Sequence, residues 1–366
     1  MERYRNHASR MISAKKKTSP LVGLDIEAGS VAATELAPGA RNVGRTAIAQ
    51  LQPGAVEDGE VRDPAALSQA LQGLFSEYKL GKTVRLGIAN QRVVVRTFEL
   101  PLIEDPKEIE TAVRFRAQDQ IPMPLDDAVL DHRVIGRREG GEGQRVMDVL
   151  AVAARRDMVF SLLEALRGAG LQPAGIDLSA FGMIRALGGD APVAPAEAEG
   201  MPANTVLYCH LGDVTNLAVA RGGQCVFTRV APFGIETIAE RLASRREIPL
   251  EQARESLMEV GLEDELELFA DGSDGMAAAR EVLEEGAAKL VDELRLSLDF
   301  YSAQEGVTPV DRVVICGAGT TIPGLPERIQ VGLGLGVTTE KPAALSHLDE
   351  EDAARLTVSY GLALEN

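Results

Sequence analysis

Short apolar runs and amphipathic stretches alternate along this chain in an order that appears twice. Leu21 to Ile26 reads as a strand, Glu27-Ala28-Gly29-Ser30 as a turn, and Val31 to Leu36 as a returning strand, so the unit is a hairpin. Ala47 to Leu51 extends it with a third strand. Asp63-Pro64 then opens a helix that carries Leu67, Leu71, Leu74 and Tyr78 at helical spacing, and Val84 to Ala89 returns to strand. The second half begins the same way. Val206 to Leu211 is a strand, Gly212-Asp213-Val214-Thr215-Asn216 a turn, and Leu217 to Arg221 a strand. Gly222-Gly223 leads back through Cys225 to Val230, and Phe233-Gly234 enters a helix at Ile235 to Ser244. The pattern predicts two related α/β units.

Between the halves the character changes. Val93 to Leu100 is a strand, and Asp105-Pro106 starts an amphipathic helix through Ile109, Val113 and Phe115 that ends before Ile121-Pro122-Met123-Pro124. Alternating strands at Ala128 to Gly136 and Val146 to Ala154 flank a polar glycine loop, Glu139 to Gly143, and a helix follows at Asp157 to Gly168. These elements predict a small α+β module inserted into the first unit. Ala174 to Leu178 resumes a strand and Ala180 to Leu187 a helix, before an Ala, Pro, Glu and Gly-rich linker at Gly188 to Asn204. Farther on lie an acidic helical region at Pro249 to Phe269, a long helix at Met276 to Ser302, and a final helix at Thr357 to Leu364.

A third glycine corner follows the buried strand Val313 to Cys316. Gly317 and Gly319 permit a close backbone approach, and Pro323 fits the first turn of a helix through Leu325 and Ile329. Such a corner predicts an anion site at a helix N-terminus. In a duplicated fold the two hairpin turns face each other across a cleft, and facing turns of backbone amides suit a phosphate chain. The candidate ligand-binding positions are Asp25, Gly29 and Ser30 in the first turn, and Gly212, Asp213, Thr215 and Asn216 in the second. Gly234, and Gly317, Ala318 and Gly319 at the corner, complete the set. Asp25 is the candidate to orient Mg²⁺. Thr215 and Asn216 suit phosphate oxygens or the bonding of their own turn equally well.

Composition narrows the function classes. A formal charge of −17, from 38 basic against 55 acidic residues, argues against nucleic acid as a partner. No apolar run approaches the ~20 residues of a membrane span, and Met1 to Thr18 is polar and basic, as in a solvated tail. Cys209, Cys225 and Cys316 are far apart, and His7, His132, His210 and His347 equally so. Their spacing supports neither a zinc site nor a Ser-His-Asp hydrolase.

Several stretches resemble the PilM family of actin-like type IV pilus assembly proteins. They are Gly23-Leu24-Asp25-Ile26, Gln120-Ile121-Pro122-Met123-Pro124-Leu125, Leu130-Asp131-His132, Phe227-Thr228-Arg229, Leu296-Ser297-Leu298-Asp299-Phe300-Tyr301, Cys316-Gly317-Ala318-Gly319 and Tyr360-Gly361-Leu362-Ala363-Leu364. The resemblance implies an actin-like ATPase fold made of two RNase H-like domains, with an FtsA-like module inserted at about 98–172. The implied layout is a basic tail at 1–19, domain I at 20–190, a linker at 191–204, domain II at 205–350, and a C-terminal helix at 351–366 returning to domain I.

It also implies ATP or ADP with Mg²⁺ in the cleft. The implied partner is a PilN-like inner-membrane protein whose cytoplasmic N-terminal peptide docks in a groove bordered by the module. The chain would then sit on the cytoplasmic face of the membrane without inserting into it, coupled indirectly to the pilus motor ATPases. The family turn Asp-Ile-Gly-Ser-Ser-Ser-Val-Lys is altered here, with Glu27 for a glycine and Ala32 for the lysine, while His210 replaces the Asp that opens the second turn. These changes weaken Mg·ATP binding and damage hydrolysis more, so a scaffold is expected before an enzyme. The alternatives are an actin-fold ATPase or kinase, which needs an intact phosphate site, and an FtsA-like filament protein, which carries a membrane helix beyond the point where this sequence ends.

Overall fold

The computed structural model describes residues 20–37, 41–140, 143–188, 204–263, 274–304 and 306–364. The expected basic tail, the linker up to residue 203 and the acidic stretch at 264–269 lie outside the described residues.

β1 (Leu21–Ile26), β2 (Ser30–Leu36) and β3 (Val43–Gln50) form the expected antiparallel meander. A two-residue ribbon, β4 (Val56–Glu57) and β5 (Glu60–Val61), precedes α1 (Pro64–Glu77). Asp63 caps this helix by accepting the N–H groups of Ala65 and Ala66 at 2.9 and 3.0 Å. β6 (Thr83–Ile88) pairs parallel to β1.

Next come β7 (Val93–Pro101), α2 (Pro106–Gln120), β8 (Ala128–Glu139) and β9 (Arg145–Arg155). They build a separate sheet of order β7-β9-β8, with its own core of Phe98, Leu100, Ile109, Val113, Met147 and Val149. α3 (Arg156–Gly168) then packs on α1, and its Met158, Leu162 and Leu166 join the core of the first sheet. The helix that follows β9 in sequence therefore packs with the first half, on α1 and beside β10 and β5. β10 (Gln172–Leu178) and α4 (Ser179–Leu187) end this half, whose sheet order is β10-β6-β1-β2-β3.

The second half repeats that order. Its strands are β11 (Thr205–Leu211), β12 (Thr215–Arg221) and β13 (Gln224–Ala231), then, after α5 (Ile235–Arg246), α6 (Leu250–Val260) and α7 (Asp274–Ser302), β14 (Arg312–Cys316). α8 (Leu325–Leu333), β15 (Val337–Thr339) and α9 (Glu350–Ala363) complete the chain. The sheet runs β15-β14-β11-β12-β13, strand for strand the counterpart of the first.

Two details depart from the sequence reading. The glycine corner does not open a helix: residues Ala318–Thr321 make one short 3-10 turn, and α8 starts only after Gly324, with Pro326 in its first turn. Pro323 lies in the connection instead, where its carbonyl accepts Leu262 N–H at 2.6 Å. The acidic helix also stops early, since Gly261 at φ 51° terminates α6.

α9 returns to the first half and lies on β1 and α4. The approach is close, for a Cβ on Gly361 would come within 1.8 Å of the Gly182 carbonyl and one on Gly23 within 2.0 Å of the Ser359 carbonyl. Arg85 finishes the helix by donating to the Leu364 carbonyl at 2.7 Å. Tyr208, Ala218 and Cys316 of the second sheet pack in the first core, so that face of the second sheet looks toward the first half.

Candidate functional site between the two hairpin turns

The β1–β2 and β11–β12 turns meet, and they do so through side chains that fill the space between them. Asp213 accepts Ala28 N–H at 2.7 Å with one carboxylate oxygen and Val214 N–H at 2.7 Å with the other. Glu27 N–H closes its own turn on the Ser30 carbonyl at 2.9 Å. The Glu27 carboxylate reaches across to His210, with Oε1 3.5 Å from Nδ1. Asp25, buried at the end of β1, accepts a hydrogen bond from Ser179 Oγ at 3.1 Å at the start of α4. Ligand atoms of Asp25, Glu27 and His210 all lie within 4.8 Å of one another. A Cβ on Gly212 would come within 1.8 Å of Glu27 Oε1, so a larger residue there would displace that carboxylate.

Burial shifts each of these groups. Burial, reinforced by the negative charge of Glu27, pushes the Asp25 carboxyl up to about 7. Burial and the Asp213 carboxylate push Glu27 up to about 8, against a partial offset from Arg355 on α9. Desolvation also raises Asp213 and holds the His210 imidazole below its ordinary value, favouring the neutral ring.

The other sequence candidates divide. Asn216 pairs directly across from His210, so both side chains leave the same face of the sheet, toward the first half. Thr215 is on the opposite face and donates its hydroxyl to the Phe233 carbonyl at 2.6 Å, outside its own turn. Gly234 packs against the carbonyls of Gly212 and Asp213, and Ile235 N–H donates to the Gly212 carbonyl at 2.8 Å, which seats α5 on the second turn. Gly29 faces Arg254, whose guanidinium is taken up by Glu236 and Glu251. Ser30 is buried as the first residue of β2.

At the corner, Gly317 at φ 89° backs the His210 ring, and Gly319 packs on Leu211 and Ile235. The carbonyls of Gly317 and Ala318 accept the hydroxyls of Thr320 and Thr321 at 2.8 and 2.7 Å. Sequence reasoning missed Ser179 altogether. It noted Glu27 and His210 as departures without pairing them, although two changes at facing turns were the available signal.

The fit of a nucleotide follows from this geometry. A phosphate needs free amides and a positive field. Here Ala28 N–H is bonded to Asp213, and three carboxylates crowd the turns. The phosphate chain of Mg·ATP does not fit the turns in this arrangement.

Away from the cleft, the separated stretches around Phe227 and Ser297 come together. Arg229 on β13 donates to Ser297 Oγ on α7 at 2.9 Å, and Phe227 packs against Tyr301 with ring centroids 5.6 Å apart. On the outer face of α2, Phe115 is 72% exposed and borders a shallow depression lined also by Lys107, Glu108, Thr111 and Ala112. Among the described residues no helix is long and apolar enough to cross a membrane.

Comparison with known proteins agrees with the duplicated fold. A solved structure described as a PilM-PilN type IV pilus biogenesis complex aligns with TM-score 0.75 and 25% identity, covering 94% of this chain and 97% of the other. The ethanolamine utilization protein EutJ of Carboxydothermus hydrogenoformans aligns with TM-score 0.53 and 14% identity over 93% of this chain and 88% of its own. ADP-bound MreB5 of Spiroplasma citri aligns with TM-score 0.52 and 14% identity over 94% and 95%. At that identity the last two report an actin-like fold alone. A family model described as type IV pilus assembly protein PilM matches residues 23–366. On that match, spanning both halves and the module between them, the chain belongs to the PilM family of type IV pilus assembly proteins.

Proposed function

We propose that this chain is an adaptor of the pilus assembly platform, held at the cytoplasmic face of the inner membrane by the N-terminal peptide of a PilN-like membrane protein. The observation that carries the reading is the alignment of 94% of the chain with one chain of a PilM-PilN complex. The inserted module, built from residues 93–155, presents the apolar side chain of Phe115 on its outer face and supplies the peptide contact. Aromatic side chains of this kind anchor interfaces when a partner covers them.

The cleft serves to hold the two halves together. Nucleotide, which fold neighbours bind, enters here only when Asp213 and Glu27 are displaced, and turnover is weak or absent. Calorimetry with a peptide copying the cytoplasmic N-terminus of the cognate PilN-like protein tests the reading. Binding at micromolar affinity without added nucleotide is the expected result. Absence of binding, or binding that requires ATP, counts against it.

A further inference from the structure

We propose that Asp25, Glu27 and His210 form a site for one divalent first-row transition ion of the zinc class, bridging the two hairpin turns. The proposal is independent of the peptide-binding reading.

The three donors converge from both halves of the chain, within 4.8 Å of one another. Glu27 Oε1 and His210 Nδ1 stand 3.5 Å apart, too far for a good hydrogen bond. That spacing is close to the edge of a tetrahedron whose metal bonds are about 2.0–2.2 Å long. His210 and Asp25 are each 6% exposed, and the Glu27 carboxylate accepts a backbone hydrogen bond from Asp213. A dication balances the two carboxylates, and the neutral imidazole adds a nitrogen donor. The imidazole selects zinc, cobalt or nickel over Mg²⁺, which keeps an all-oxygen octahedral shell.

Two further features surround the donors. Ser179 Oγ donates to Asp25 Oδ1 and fixes that carboxylate, as outer-shell partners of metal ligands do. Asn216 supplies an independent observation. It is 2% exposed, its Nδ2 has no hydrogen-bond partner among the described residues, and it lies directly across from His210 on the same sheet face. A buried donor without an acceptor is costly. A water or anion completing the shell of an ion at His210 gives it one.

The test uses the full-length protein stripped with a chelator, then dialysed against Zn²⁺ in excess Mg²⁺ and assayed by metal analysis. One zinc per chain is expected in the wild type. His210→Ala and Glu27→Gln should both lose it, and Ser179→Ala should weaken binding roughly 10–100-fold. Co²⁺ in place of zinc should give visible ligand-field bands without the thiolate charge-transfer band that the buried cysteines would produce. Circular dichroism checks the folding of each variant. Should His210→Ala not fold, Glu27→Gly, which changes only a turn, decides the matter alone. Less than stoichiometric zinc in the wild type, or zinc retained by the folded variants, overturns the proposal.

Discussion

The carboxylate of Asp213 accepts the backbone N–H of Ala28 at 2.7 Å, joining two turns that are 185 residues apart in sequence. An internal anion thereby takes the kind of amide that a phosphate would use. In this arrangement the chain itself satisfies the turn.

Removing the repulsion should restore phosphate affinity. Glu27→Gly frees the space next to Gly212 and, at a pH above the raised value of about 8, also takes a negative charge from beside the turn. At a separation of ~5 Å and an effective dielectric near 20 the ionised group matters by about 3 kcal/mol, so affinity for Mg·ATP measured near pH 9 should rise at least about tenfold. Calorimetry on the two proteins measures it. Equal affinities would show that Glu27 does not guard the cleft.

Truncating Phe115 should weaken the peptide complex. A well-covered aromatic anchor contributes about 2 kcal/mol, roughly 30-fold in Kd. Phe115→Ala should lose that much while its melting temperature stays near wild type, because the ring is 72% exposed in the free chain. An unchanged Kd would move the docking site elsewhere on the module.

The seat of α9 should be intolerant of a single methyl group. Gly361→Ala would drive a Cβ to within 1.8 Å of the Gly182 carbonyl, so the helix must shift away from α4. Overpacking of this kind costs about 1–3 kcal/mol, readable in denaturant midpoints. A neutral effect would mean that α9 slides without loss.

The chelator-treated protein should lose stability as pH rises from 6.5 to 8.5. The folded chain holds protons on Asp25 and Glu27 up to about 7 and 8, whereas the unfolded chain releases them at ordinary carboxylate values of 3.8 and 4.5. The folded state therefore binds more protons in this window, and its advantage disappears as pH passes through the raised values. His210, depressed by burial, acts in the opposite direction only below its ordinary 6.5. Thermal melts should fall across the window, and Glu27→Gln should flatten the slope. A melting temperature that climbs with pH contradicts this account.

Much of the fold was legible because its signals are local. Asp63-Pro64 and Asp105-Pro106 announced helix starts, and both aspartates cap in the structure. The repeated strand-turn-strand openings gave the duplication. β15 was missed because Val337–Thr339 is only three residues long and largely exposed, which leaves no burial pattern to read. The placement of α3 on α1 was missed because periodicity reports that a helix has an apolar face and not which layer that face meets.

For the cleft, the sequence by itself determined the residue types: the glycine turns, the carboxylates at 25, 27 and 213, and the histidine at 210. Only the tertiary structure decided what they do to one another. Scattered histidines and acidic residues suggest no metal set when read along the chain. The pairing of the two sheets through α4 and α9 brings residue 27 within 3.5 Å of residue 210. Burial then turns that proximity into raised carboxyl values and a neutral imidazole. Such coupling depends on distance and desolvation, and neither is a property of sequence spacing.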